Sequence, residues 1–102
     1  MPQYIIAYHG GSQPATREAG MAQMKAWQEW VGGMGDAVIN PGTPLGQSKM
    51  LGGSGETIAP MSGFMIIEAA DMDAATVMAE ADPFLANGGT IELAEMMVMP
   101  GG

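Results

Sequence analysis

Few side chains in this sequence can carry a proton at neutral pH, and they lie far apart along the chain. His9 is the only histidine among the 102 residues. It ends an apolar run just before Gly10-Gly11, and imidazole is the side chain best matched to general acid–base work near neutral pH. Asp82 precedes Pro83 at the end of a helical segment, where negative charge opposes the helix dipole. A carboxylate at such a terminus needs a ligand or a local hydrogen bond to the turn that follows. Glu68 and Glu92 interrupt strands that are otherwise almost wholly apolar. Either would be a usable acid or base if it pointed into an apolar cavity, and a solvated edge residue if it did not. Tyr8 could donate a hydrogen bond to a ligand or simply pack. Arg17, the only arginine, could hold an anion through its fork of donors or stand in solvent on a helix surface.

Other chemistries are excluded or poorly supported. There is no cysteine, so thiol catalysis, disulfides and Cys-ligated metals are absent. Twelve methionines suggest thioether ligation of Cu(I), but no histidine or cysteine accompanies them. Neighbours such as Met96 and Met97 would point to opposite faces of a strand, and methionine as adaptable core and interface filler accounts for the count. The run Gly52-Gly53-Ser54-Gly55 lacks the lysine and the strand-to-helix setting of a phosphate-binding loop. No metal and no cofactor is implied.

The balance of 3 Lys plus Arg against 11 Asp plus Glu gives a net charge of −8. That repels phosphate backbones and anionic lipid, so neither nucleic acid nor membrane is an expected partner. With 47% hydrophobic and only 14% charged residues, a domain this small has too little charge for a fully solvated surface. A homodimer or higher homo-oligomer is expected. No signal peptide and no long apolar span are visible, which suggests a cytoplasmic protein.

The elements that must position these residues follow a simple order. Gln3 to Tyr8 reads as a strand closed by Gly10-Gly11. Ser12 can cap a helix with Pro14 in its first turn, running to about Val31, with Met21, Met24, Trp27 or Gln28, and Val31 as its buried stripe. Gly32-Gly33 is expected to end it. Asp36 to Asn40 is a short strand. A mobile loop rich in Gly and Pro occupies about 42–61, with a short hairpin arm at Ser48 to Leu51 as one form it could take. Gly63 to Glu68 is the third strand. Asp71 caps a second helix that Pro83 stops, and Thr90 to Met99 is the fourth strand after Gly88-Gly89.

This β-α-β-β-α-β order with right-handed crossovers predicts a single α+β domain. Its fold is a ferredoxin-like antiparallel sheet with two helices on one face. The strands are apolar on both sides. A second copy of the sheet is the economical cover for the face without helices, giving a dimeric α/β barrel.

The segments Glu56-Thr57, Ser62-Gly63-Phe64, Ile66-Ile67-Glu68-Ala69 and Asp71 resemble the central part of the YCII-related (YciI-like, DGPF domain) family. Asp82-Pro83-Phe84 and Gly88-Gly89-Thr90-Ile91-Glu92 resemble its closing helix, turn and strand. The resemblance implies a dimeric ferredoxin-like fold akin to muconolactone isomerase. Few members of the family have assigned activities, and these include a dehydrochlorinase-type lyase. It also implies an acid at Glu92, which ranks that residue above Glu68. Two features depart from the pattern. Leu51-Gly52-Gly53-Ser54 stands where many members have Asp-Gly-Pro-Phe. The first helix carries Met21 and Met24 but no histidine, so the namesake branch's His/Asp dyad is absent.

The expectation is a small protein that binds an organic molecule in a cavity on the sheet. If it is an enzyme, it would be a cofactor-free isomerase or lyase. Asp82, His9 and Glu92 are the catalytic candidates, and Tyr8, Arg17 and Glu68 the ligand-binding ones. The alternatives are a non-catalytic binding or regulatory module that lacks the dyad, and a structural protein whose sheet face is used wholly in oligomer contacts.

Overall fold

The run of β-branched and aromatic residues after Pro2 forms β1 (Gln3–Gly10), one of the two inner strands of a four-stranded antiparallel sheet of order β2-β3-β1-β4. The computed structural model describes residues 1–11, 14–53 and 59–99. The other elements are α1 (Arg17–Met34), β2 (Val38–Asn40), β3 (Met61–Glu68), α2 (Met72–Glu80), α3 (Pro83–Ala86) and β4 (Gly89–Met96). A 3-10 turn, Gly35–Ala37, joins α1 to β2.

Register assigns the faces. Tyr4 stands opposite Ile67 and Glu95, Ile6 opposite Met65 and Leu93, and Tyr8 opposite Gly63 and Ile91. Directly opposed residues share a face. Tyr4, Ile6, Met65 and Ile67 are almost wholly buried, and Trp27, Trp30, Val31, Ala75, Met78 and Ala79 pack on them from the helices. Burial of each large apolar side chain contributes about 1.5–3 kcal/mol. The opposite face carries Ile5, Ala7, Phe64, Ile66, Ala94 and Met96, with His9, Glu68 and Glu92. No helix among the described residues packs there, as expected for a ferredoxin-like sheet. Among the described residues, no helix is long and apolar enough to cross a membrane.

Several boundaries differ from the sequence reading, each for a local reason. Ser12 lies outside the described residues. The N-cap of α1 is Thr16, whose extended backbone lets its hydroxyl accept from the Ala19 N–H at 3.0 Å, so Pro14 precedes the helix. Gly32-Gly33 does not end α1, because Val31 and Met34 on either side pack against the core and offset the glycine penalty. The stop is Gly35, at φ +55°. Met21 and Met24 are 64% and 56% exposed, and no residue of α1 is fully buried, so the methionine half of the proposed stripe does not reach the core. Asp71 does cap α2, accepting from the Ala74 N–H at 2.8 Å. Pro83 does more than stop that helix; it opens α3. The chain at Ser48 to Leu51 forms no strand, and β4 ends at Met96.

The connection after β2 is anchored where it begins. Asn40 Oδ1 accepts from the Gly42 N–H at 2.8 Å, and the Leu45 N–H donates to the Ser62 carbonyl at 2.9 Å. Pro44 forms an isolated bridge with Gly63. Residues 54–58, within the loop expected to be mobile, lie outside the described residues.

Candidate functional site

Tyr8 ends the helix-facing row of β1, and Asp82 occupies the sharp junction between α2 and α3. The fold brings them together: the Tyr8 hydroxyl donates to Asp82 Oδ2 at 2.6 Å. The other carboxylate oxygen, Oδ1, accepts from the Phe84 N–H at 2.9 Å, so Asp82 is the N-cap of α3. The sequence reading placed its charge against the dipole of the preceding helix. It sits instead at the start of the following one, where dipole and cap both favour it.

Asp82 is only 2% exposed, and Tyr8 7%. Burial pushes the Asp82 carboxyl above the usual carboxylate range, against the lowering effect of the Tyr8 O–H and the Phe84 N–H. Burial also pushes the Tyr8 phenol well above its ordinary value, reinforced by its hydrogen bond to Asp82 and by the charge there. The neighbouring Trp27 side chain works in the opposite direction. Tyr8 and Asp82 therefore form a polar pair inside an apolar layer.

Tyr8 borders a cavity of about 630 Å³ between the first helix, the third helix and the connection after β2. Tyr8 and Gly63 contribute from the sheet, Met24 and Trp27 from α1, and Pro44 and Phe84 from the remaining walls. Two glycines shape these walls. A Cβ at Gly42, which has φ +74°, would fall on the Phe64 carbonyl, so only glycine lets the connection lie this close to β3. The Phe84 ring stands edge-on to Tyr8, with centroids 4.9 Å apart, and a Cβ at Gly89 would fall on it.

The expected site residues separate into two groups on opposite faces of the sheet. His9 and Glu92 meet on the helix-free face, with His9 Nε2 3.2 Å from Glu92 Oε1. His9 Nδ1 is 3.1 Å from the Ala59 carbonyl oxygen. Both ring nitrogens thus lie within hydrogen-bond distance of an oxygen. Asp82 belongs to the other group, with Tyr8. Glu68 shares the helix-free face, its Oε1 3.5 Å from the Met1 amino group. Arg17 is exposed on the first turn of α1 and does not line the cavity. Glu56-Thr57 lies outside the described residues. The sequence reading did not single out Trp27, Phe84 or Gly42 as site residues. The Asp82-Pro83-Phe84 triplet held a usable signal, since Asp before Pro at a first helical position marks a new helix start.

The family model for the YCII-related domain matches residues 1–100. The chain belongs to the YCII-related domain family. Comparison with curated proteins returns no match. Among solved structures, the chain is similar to 5-chloro-2-hydroxyhydroquinone dehydrochlorinase from Burkholderia phenoliruptrix, in complex with 2,5-dihydroxybenzoquinone. Identity is 19%, the match covers 95% of each chain, and the TM-score is 0.59. At this identity the likeness shows a shared fold. It places this YCII-related domain among α+β sheets with helices on one face.

Proposed function

We propose that this YCII-related protein binds a small organic molecule in the cavity between α1, α3 and the connection after β2, with Tyr8 as the group that touches it. The observation that carries this reading is the Tyr8–Asp82 hydrogen bond beside an apolar cavity of about 630 Å³, a size that suits a small ligand. The dehydrochlorinase of similar fold was solved with a small quinone bound, which supports the same use of the scaffold here.

In its catalytic form the reading is cofactor-free acid–base chemistry of an isomerase or lyase. A proton leaving the ligand is taken by Tyr8 Oη while Tyr8 passes its own proton to Asp82 Oδ2. Asp82 becomes neutral, the ligand holds the negative charge, and the return of the proton to another atom reverses both transfers. Asp82 acts through Tyr8 and is a positioning residue. His9 and Glu92, on the other face, take no part in this relay. Their face is covered by a second copy of the chain, since no helix among the described residues covers its half-buried apolar row of Ile5, Phe64, Ile66 and Ala94.

A second reading has its own support. The first helix carries no histidine to pair with an aspartate, which favours a binding module without turnover. A thermal-shift screen of lactones and hydroxylated aromatics tests both, followed by turnover assays on the hits with wild type and Tyr8→Phe. Hits that wild type converts and Tyr8→Phe does not support catalysis; hits left unconverted support the binding module; stabilisation that Tyr8→Phe retains in full contradicts the site.

A further inference from the structure

We propose that the cavity selects an uncharged ligand carrying a hydrogen-bond donor, such as a hydroxyl group, and rejects carboxylates and phosphates. This rests on the reading that the cavity is the ligand site, and it adds the chemical class that the site accepts.

The first argument is charge. The polar groups among the cavity's described lining are the neutral side chains of Tyr8, Gln23, Trp27, Thr43, Ser62 and Asn87. No lysine, arginine or histidine is among them. Behind that wall lies the Asp82 carboxylate, held by Tyr8. An anion in the cavity would stand near this carboxylate with no cation in the described lining to offset it. The net charge of −8 opposes its approach as well. A cation fares little better. Both Asp82 oxygens are already engaged, the residue is 2% exposed, and a cation would shed its water against an apolar wall without a direct partner.

The second argument is hydrogen-bond direction. The Tyr8 proton is committed to Asp82 at 2.6 Å. What Tyr8 retains for a ligand is a lone pair, so the ligand group above it must donate. The proton relay leads to the same class. Starting from a neutral ligand, Tyr8 and Asp82 carry one negative charge among three partners throughout the transfer. An anionic ligand would require two.

The test is a chemical-shift titration of the intact protein with three probes of similar size: p-cresol, 4-methylanisole and 4-hydroxybenzoate. Tightest binding is expected for p-cresol, several-fold weaker binding for 4-methylanisole, which lacks the donor, and binding at least about tenfold weaker for 4-hydroxybenzoate. In Asp82→Asn, which keeps an acceptor for the Phe84 N–H, the gap between p-cresol and 4-hydroxybenzoate should narrow. Equal binding of the cresol and the carboxylate, or a gap unchanged in Asp82→Asn, overturns the inference while leaving the cavity as the ligand site. Failure of all three probes to perturb the cavity overturns the site itself, and the inference with it.

Discussion

The Tyr8 hydroxyl and the Asp82 carboxylate, 74 residues apart in sequence, meet at 2.6 Å in the interior. The bond joins β1 to the start of α3, and it gives a buried charge the partner it needs. Its removal should therefore be felt in stability as well as in binding.

Tyr8→Phe leaves one Asp82 oxygen buried without a donor, at a cost of about 1–3 kcal/mol. Asp82→Ala removes the α3 cap and leaves the Tyr8 hydroxyl unpaired, and should cost about as much or more. Urea unfolding monitored by tryptophan fluorescence measures both. A change in either variant below about 0.5 kcal/mol would mean that the pair contributes little to the fold.

The pH dependence of Asp82 has a definite sign. Its folded pKa lies above the unfolded value because burial disfavours the charged form. The folded state then binds the proton more tightly, so the stabilising contribution of this group is fully present below the unfolded pKa of about 4 and is lost as pH rises through the raised folded value. The stability of wild type relative to Asp82→Asn should accordingly grow as pH falls from 7 to 4. Urea midpoints of the two proteins at each pH measure this, and a gap that shrinks on acidification contradicts it.

Gly42→Ala places a Cβ on the Phe64 carbonyl at a backbone position of φ +74°. The connection after β2 must move, and with it one wall of the cavity. Destabilisation of about 2 kcal/mol or more is expected, with loss of ligand binding. A thermal melt of the variant with and without a screening hit checks both effects. Gly46→Ala, where an added Cβ meets nothing within 4 Å, is the matched control.

The helix-free face supplies a separate prediction. Ile66 stands opposite Ile5 in its apolar row. If a second copy covers this row, wild type sediments as a dimer or larger at micromolar concentration, and Ile66→Glu sediments as a monomer. A wild-type monomer under those conditions would leave the face without its proposed cover.

Much of the scaffold is legible in local pattern. β1 shows in its β-branched run and α2 in its Asp71 cap, and the order of elements follows from the Gly and Pro breaks. The end of α1 is not legible in the same way. Gly32-Gly33 carries a strong local stop signal, yet core contacts by Val31 and Met34 hold the helix through it. The site is legible only in part. Tyr8 and His9 are neighbours on a strand, so they face opposite sides, and that parity alone separates the two groups of candidates. Which side holds the cavity depends on where Asp82 arrives from the far end of the chain, and no local spacing encodes a contact across 74 residues.

The two tryptophans offer the most direct test of ligand binding beside Tyr8. The Trp27 indole borders the cavity beside Tyr8, whereas the Trp30 indole donates to the Met78 carbonyl at 3.1 Å, outside the described cavity lining. Titration of a screening hit into ¹⁵N-labelled protein should move the Trp27 indole resonance in a saturable way and leave that of Trp30 nearly in place. A saturable shift at Trp30 with Trp27 unmoved would contradict the site.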